Sequence, residues 1–330
     1  MRTRSVLTLA LAVVITASLI TACAASDPSV DPLPSWNDGE VKQAIIHFVT
    51  SVTTKDGPDF VPPEQRIATF DNDGTLWCEH PVIQGMFLMY KLERMVKEDP
   101  SLRAKQPFKA ALEHDQEYLQ AEGMPAMLEL FAATHAGMSQ EEFEAEVEEF
   151  IATGTHPTLD VSLGQVVYKP MIELLAYLRA NDFKTYICSG GGVDFMRVVS
   201  TTLYGIPPEQ VMGSSMKKEL RHVDGRWVLA RTGELDFYND KEMKPVNIDL
   251  HTGTRPLFAM GNVRSGGDIG MLSYSQGRDG PSLQLLVNHD DEEREFAYAE
   301  PDNASLNAAK ASGWLVVSMQ NDWESIFPLR

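Results

Sequence analysis

The sequence has little cysteine, and this excludes a fold held together by disulfide bonds. Only Cys23, Cys78 and Cys188 occur among 330 residues, whereas disulfide-stabilised secreted domains have a much denser pattern. We therefore expect hydrophobic packing to hold the core. We expect Cys78 and Cys188 to be two buried thiols, with a disulfide between them as the alternative.

Basic residues are scarce relative to acidic ones. The chain has 28 Lys and Arg residues against 47 Asp and Glu residues, and its formal net charge is −19. Proteins that bind polyanions gain affinity by neutralising phosphates with basic side chains. The charge balance therefore argues against a nucleic-acid partner. A small phosphate ester can still be held by a few local donors.

Long hydrophobic runs are absent apart from one at the N-terminus. Residues 6–20 are uncharged and apolar, follow Arg2 and Arg4, and lead into small residues that end at Cys23. This is typical of a secretory signal whose core is short for a membrane span. The small residues before the cysteine resemble a bacterial lipobox, which implies cleavage before Cys23 and its lipidation. A signal cleaved elsewhere is the alternative.

These features predict a bacterial lipoprotein on the periplasmic or cell-surface side of a membrane, which it contacts through its lipid anchor only. The sequence does not indicate an oligomeric state. From the distribution of apolar, helical and Pro-rich segments we expect the following organisation: signal peptide 1–22, tether 23–36, N-terminal core segment 37–78, helical cap 79–164 and C-terminal core segment 165–330.

The central motif of the chain is an apolar run, Ile67 to Phe70, that stops at Asp71-Asn72-Asp73-Gly74. Such a run predicts a short buried strand that ends in a turn. Ligands of open α/β sheets bind at the carboxyl ends of strands. Two carboxylates there suit covalent phosphoryl transfer, in which one attacks and the other moves the proton. The alternative is an Asp-rich turn that caps a helix.

Further polar segments follow later apolar runs in the same way. The run 184–188 leads into Ser189 and three glycines, an arrangement that presents a hydroxyl and free N–H groups to an anion. Lys244 precedes the helix-starting Pro245, and the run 257–260 leads into a Gly-rich loop that contains Asp268. Several strand ends therefore converge on one predicted crevice.

Together these segments resemble the phosphatase branch of the haloacid dehalogenase superfamily, in the order of its four motifs. Asp71 to Thr75 match the first motif, Ser189 the second, Lys244 the third, and Asp268 in the loop after Met260 the fourth. The resemblance implies an α/β fold, a Rossmann-like parallel sheet core with an inserted all-helical cap, and Mg²⁺-dependent hydrolysis of a small extracytoplasmic phosphate ester through an aspartyl-phosphate. It implies these roles: Asp71 as nucleophile, Asp73 as acid and base, Ser189, Gly190 and Lys244 (or Lys241) as phosphate ligands, and Asp71, the Asp73 carbonyl, Asp268 and Asn262 as metal ligands.

Asn262 departs from the family pattern, which often has an aspartate directly after the glycine of the fourth motif. An asparagine brings no charge, so we expect weaker metal binding than in such relatives. On these grounds a lipoprotein that keeps the fold as a non-catalytic binding module stays open as the alternative function. A phosphotransferase is a further possibility among enzymes, and it needs an acceptor better than water.

Three residues near the predicted crevice are candidates for contact with the rest of the substrate. Trp77 and Glu79 follow the first motif, and His289 follows a later apolar run. An aromatic ring beside a carboxylate can hold a cationic headgroup, and phosphoserine and phosphorylcholine phosphatases are the relatives that this arrangement suggests. Packing of Trp77 against the cap is the alternative.

Overall fold

The computed structural model describes residues 30–328, and the residues from Pro32 onward form one compact unit. The predicted signal peptide and Cys23 lie outside the described residues, as does most of the tether. No helix within 30–328 is both long enough and apolar enough to cross a bilayer.

Seven strands form one sheet within the described residues. They are β1 (Ile67–Phe70), β2 (Lys184–Gly192), β3 (Val211–Val223), β4 (Arg226–Phe237), β5 (Phe258–Asn262), β6 (Leu283–Asn288) and β7 (Leu315–Ser318). Their spatial order is β4-β3-β2-β1-β5-β6-β7. All neighbours are parallel except β3 and β4. The predicted α/β class with a mostly parallel sheet is confirmed.

Twelve α-helices accompany the strands between residues 30 and 328. They are α1 (Glu40–Thr53), α2 (Ile83–Glu98), α3 (Phe108–Leu112), α4 (Gln116–Glu122), α5 (Met124–His135), α6 (Gln140–Thr153), α7 (Lys169–Ala180), α8 (Val193–Tyr204), α9 (Met243–Thr252), α10 (Ile269–Gln276), α11 (Ala304–Ser312) and α12 (Met319–Asp322). Helices α2 to α6 lie between β1 and β2, within the range predicted for the cap.

The sheet is buried on both faces, which explains why its central strands are apolar throughout. In β5, Phe258 and Met260 join the cluster that α1 and α7 cover, and the ring of Phe258 lies 5.5 Å from that of Phe70. Ala259 between them joins a second cluster with residues of α9 and α10. Successive side chains thus point to opposite faces, and the sheet is a central layer between helices.

The β3–β4 hairpin extends beyond the sheet and reaches the inserted helices. Its strands run to Val223 and Phe237, and its tip, residues 219–229, is exposed apart from the half-buried Val228. The N–H of Gly137 donates to the carbonyl of Arg231 at 2.8 Å, and the N–H of Arg231 donates to Met138 at 2.9 Å. The hairpin and the inserted helices are therefore joined, and both lie over the carboxyl ends of the central strands.

Both cysteines of the described residues are free and buried. Burial raises the pKa of Cys188 to about 12, so this thiol stays protonated at neutral pH. The prediction of two buried thiols is confirmed, and a Cys78–Cys188 disulfide is wrong.

Candidate active site

A cavity of about 590 Å³ opens at the carboxyl ends of the three central strands. These strands, β2, β1 and β5, are neighbours in the sheet, so the residues that end them are brought together although they are far apart in the chain. The predicted residues that line the cavity are Asp71, Asp73, Ser189, Gly190, Lys244, Asn262 and Asp268.

Lys244 joins two of the predicted carboxylates. Its Nζ lies 2.7 Å from Oδ1 of Asp71 and 2.5 Å from Oδ1 of Asp268. Lys244 is the second residue of α9 and is 3% exposed. Lys241, the alternative in the sequence, is an exposed residue in a left-handed turn before α9. Both lysines line the cavity, but it is Lys244 that contacts Asp71 and Asp268.

Two buried carboxylates share one buried cation at this point. Burial raises the pKa of Asp71, repulsion by Asp268 raises it further, and Lys244 partly offsets both, so that the pKa lies at about 7. Burial alone would lower the pKa of Lys244, but attraction to Asp268 and Asp71 raises it above its ordinary value. The three groups form a network that is short of one positive charge when both acids are ionised.

This donor set fits Mg²⁺. No group of three or more His, Cys, Asp or Glu side chains within residues 30–328 is placed to hold a metal ion, but Mg²⁺ in proteins commonly takes one or two carboxylates and keeps several waters. Asp71 and Asp268 supply two carboxylates that meet at one point and repel each other. A small divalent cation would supply the missing positive charge.

Glycine is required beside Asp268. The backbone N–H of Asn262 donates to Oδ2 of Asp268 at 3.0 Å. A Cβ on Gly261 would lie 2.4 Å from the Asp268 carboxylate. The glycine of the fourth motif therefore makes room for the carboxylate that the next backbone amide holds.

Asp73 is positioned by two side chains. The indole Nε1 of Trp77 donates to its Oδ1 at 2.9 Å, and the hydroxyl of Ser189 lies 3.4 Å from its Oδ2. Trp77 is fully buried and packs edge-on against the rings of Phe195 and Tyr204. Trp77 therefore supports Asp73 from beneath the cavity.

The Gly-rich loop at the end of β2 is held by residues that the sequence does not identify. The N–H of Gly191 donates to the Ser189 hydroxyl at 3.0 Å, and Nδ2 of Asn239 donates to the Ser189 carbonyl at 2.8 Å. Gln84 of α2 accepts from Gly192 at 2.8 Å. Gln84 and Asn239 lie in segments with no recognisable motif, so no sequence signal marks them.

A buried network supports the loops from the other side. Glu79 is fully buried and binds the Nδ2 of Asn262 at 3.0 Å, and it also binds Arg264 and the hydroxyl of Tyr298. His289 faces the carbonyl of Gly74 at 2.8 Å through Nε2. Arg264 and Tyr298 lie in loops after β5 and β6, where no motif distinguishes them from other loop residues.

These positions correct one sequence-based expectation, which is that Trp77, Glu79 and His289 contact a substrate headgroup. All three are at most 2% exposed, and none of them lines the cavity. The cation–π argument for a cationic substrate fails, because the indole ring faces Phe195 and Tyr204 and the carboxylate of Glu79 is already occupied.

Comparison with solved structures finds proteins of similar fold. No curated protein matches this sequence. A protein of unknown function from Bordetella pertussis is 17% identical, with 77% of this chain and 98% of that chain covered and a TM-score of 0.46. A functionally unknown protein from Anaerococcus prevotii is 15% identical, with 86% and 94% covered and a TM-score of 0.55, which supports the fold. A probable phosphoserine phosphatase from Vibrio cholerae is 13% identical, with 79% and 62% covered and a TM-score of 0.41.

The family is shown by a sequence match across the site itself. The haloacid dehalogenase-like hydrolase family matches residues 68–272, which span β1 to Leu272 in α10 and include Asp71, Ser189, Lys244 and Asp268. The chain belongs to the haloacid dehalogenase-like hydrolase family.

Proposed function

We propose that the protein is a phosphomonoesterase that forms an aspartyl-phosphate on Asp71. The observation that carries this proposal is the convergence of Asp71, Lys244 and Asp268, with Asp73 and Ser189 lining the same cavity. An attacking carboxylate, a proton carrier and donors for phosphoryl oxygens are the parts that hydrolysis through a covalent intermediate requires.

Each residue has a chemical task in this proposal. The carboxylate of Asp71 attacks phosphorus, and Asp73 gives a proton to the leaving alkoxide oxygen. Asp73 then takes a proton from the water that hydrolyses the acyl phosphate. Ser189, the N–H of Gly190 and Lys244 hold the phosphoryl oxygens while charge moves onto them. A halide leaves without a proton, so Asp73 favours an ester over a haloacid as substrate.

The metal expected here is Mg²⁺. Asp71, Asp268 and the backbone carbonyl of Asp73 would hold it, with the side-chain oxygen of Asn262 as a neutral ligand. Bound Mg²⁺ shields the charge between the carboxylates and the phosphate. Because Asn262 contributes no charge, we expect weak affinity and a requirement for high Mg²⁺ concentration.

A panel of phosphomonoesters, including p-nitrophenyl phosphate, tests the proposal. We expect phosphate release that needs Mg²⁺ and that falls at least about 10³-fold in Asp71→Asn. Asp291→Asn is the matched control, because Asp291 is a similarly buried acid that binds Arg294 and does not line the cavity. No release from any ester, or equal activity in Asp71→Asn, would overturn the proposal in favour of a non-catalytic binding module. Phosphate transfer to an added alcohol in preference to water would indicate a phosphotransferase.

The lipid anchor is a separate proposal that rests on the sequence before residue 24. Lipidation of Cys23 would keep the enzyme on the periplasmic or cell-surface side of the membrane. Incorporation of labelled fatty acid into the wild type and not into Cys23→Ala is the expected result. Equal labelling of the two proteins would contradict it.

A further inference from the structure

The upper half of the cavity, which α5 and the β3–β4 hairpin line, is apolar although it faces the catalytic groups. Helix α5 directs one side into it, with the spacing i, i+3, i+4 and i+7 of a single helix face. The residues of this face are Met124, Met127, Leu128 and Phe131. Met124 is 44% exposed, and the other three are half-buried.

This face overlaps the one by which α5 packs in the protein. Leu130 is buried with Leu88 and Leu92 of α2, and Met127 and Phe131 pack at the edge of the same cluster. An amphipathic surface helix needs only one apolar stripe to pack. Met124 and Leu128 lie outside that cluster and line the cavity, so the apolar surface of α5 is wider than its packing among the described residues requires.

The hairpin supplies a second apolar wall. Met216 of β3 and Leu235 of β4 are paired across the two strands, so their side chains lie on the same face. Both line the cavity and both are half-buried. Helix α5 and the β3–β4 hairpin thus both present apolar side chains to the space above Asp71.

The charged groups in this half of the cavity are already satisfied or neutral. Arg231 donates to Asp194 at 2.6 Å, and Lys218 donates to the same carboxylate at 2.7 Å. The Arg231 guanidinium also lies over the ring of Phe143, 4.0 Å from its centre. Burial, together with the positive charges of Arg231 and Lys91, lowers the pKa of His135 to about 3. Asp240 and Lys241 also line the cavity, but Oδ1 of Asp240 lies beside Gly190 and Gly267 at the strand ends. Next to α5 and the hairpin, a charged headgroup would find no free partner of opposite charge among the described residues.

We propose that this apolar half holds the alcohol portion of the substrate, and that the substrates are phosphomonoesters of alcohols with an apolar chain or ring. The inference rests on the phosphomonoesterase function proposed above, because the ester's phosphate must lie at Asp71 for its alcohol to reach α5. A zwitterionic or charged alcohol portion is disfavoured, since it would lose water without gaining an ion pair.

A homologous series of esters tests this inference. With ethyl, butyl, hexyl and octyl phosphate we expect kcat/KM to rise about fourfold for each methylene, until the chain outgrows the cavity. Phosphoserine and phosphorylcholine should be at least about tenfold poorer than butyl phosphate. Hydrolysis with no dependence on chain length, or with a preference for the charged esters, would overturn the inference and leave the phosphomonoesterase function intact.

Binding measurements distinguish a failure of the phosphomonoesterase proposal from a failure of the apolar-site proposal. Calorimetry with the matching alkylphosphonates, which cannot be hydrolysed, should show affinity rising with chain length even if no ester is turned over. In that case the phosphomonoesterase proposal fails and the apolar site stands. Affinity that is equal for ethyl- and octylphosphonate contradicts the apolar site.

Two variants on α5 localise the effect. Leu128→Gln places a polar group on the cavity face and should flatten the dependence on chain length. Glu129→Gln changes the adjacent exposed residue and should keep the full dependence. Melting curves show whether each variant is folded, and if Leu128→Gln is unfolded, Met127→Gln takes its place. An unchanged dependence in a folded cavity-face variant contradicts the inference.

Discussion

The indole nitrogen of Trp77 donates a 2.9 Å hydrogen bond to Oδ1 of Asp73 from beneath the cavity. Trp77, which follows the first motif, therefore holds Asp73, the proposed acid and base, in place. A fully buried tryptophan that satisfies a carboxylate fixes its rotamer, which a proton carrier needs if it is to reach both the leaving oxygen and the attacking water.

Replacing this tryptophan should damage catalysis more than folding. In Trp77→Phe the hydrogen bond to Asp73 is lost, and bonds to charged groups contribute about 1.5–3 kcal/mol. We expect kcat to fall about 10- to 100-fold with little change in KM. Trp314→Phe is the matched control, because it removes a 2.8 Å indole bond to Gln276 far from the cavity. Equal kcat in the two variants would show that Trp77 has no positioning role.

The turn at Gly74 should tolerate no side chain. Gly74 has a φ of 75°, and a Cβ there would lie 2.0 Å from Nδ2 of Asn262. Gly225, at the tip of the hairpin, has a φ of 81° and open space around it. We expect Gly225→Ala to cost about 1–2 kcal/mol of stability from backbone strain alone and to keep full activity.

Gly74→Ala carries the same strain and also displaces Asn262. We therefore expect a larger loss of stability than in Gly225→Ala, together with loss of Mg²⁺-dependent phosphate release. Urea unfolding and a steady-state assay of both variants check this. Full activity in Gly74→Ala would mean that the Asn262 side chain is not needed at the site.

Removal of the cation between the two acids should destabilise the metal-free protein. Lys244→Met leaves Asp71 and Asp268 buried without their partner, and breaking such a pair typically costs about 3–5 kcal/mol. Because Mg²⁺ would replace the lost positive charge, its addition should raise the melting temperature of this variant more than that of the wild type.

The control for this measurement is another buried lysine. Lys42 is 5% exposed and pairs with Asp38, which is 90% exposed. Lys42→Met should lose less stability, because Asp38 stays solvated, and Mg²⁺ should not restore it. A response to Mg²⁺ that is the same in all three proteins would argue against a metal site at Asp71 and Asp268.

His135 should make stability depend on pH. Its pKa in the folded protein is about 3, below the value of about 6.5 for an unperturbed histidine. The unfolded state therefore binds the extra proton between these values, and stability is complete above pH 6.5 and is lost as the pH falls below it. From pH 7 to pH 5 this residue should cost about 2 kcal/mol.

Urea unfolding at the two pH values measures this effect. His135→Phe keeps a ring beside Phe87, which lies 5.7 Å away in the wild type, and should reduce the pH dependence by that amount. His114→Phe, at an exposed position, should leave the dependence unchanged. If His135→Phe keeps the full pH dependence, the loss of stability comes from other groups.

The core strands could be predicted because burial on both faces makes them short apolar runs. The apolar runs 67–70, 184–188 and 257–260 overlap β1, β2 and β5. The polar residues that follow them mark the strand ends, and parallel strands bring these ends to one edge of the sheet. Asp71, Ser189 and Asp268 could be selected for that reason, whereas Lys244 is identified by its place before the helix-starting Pro245 and by the family resemblance.

The residues that hold the loops of the site in place could not be predicted in the same way. Glu79 binds Arg264 and Tyr298, which lie 185 and 219 residues further along the chain. Polar residues in loops have no periodicity, so nothing in the sequence distinguishes a buried partner from an exposed one. The role of Trp77 stayed open in the sequence for a related reason, since an aromatic residue beside a motif can face either the ligand or the core, and this one packs in the core.

The most direct test of the proposed chemistry is to trap the phosphoryl group on the enzyme. The protein is mixed with p-nitrophenyl phosphate and Mg²⁺, quenched in acid within one turnover, digested and analysed by mass spectrometry. We expect one added phosphoryl group on Asp71, and we expect it to accumulate in Asp73→Asn if that variant still reacts with this activated ester. Turnover of the ester with no phosphoryl group on Asp71, or with the group on another residue, would contradict the proposed mechanism.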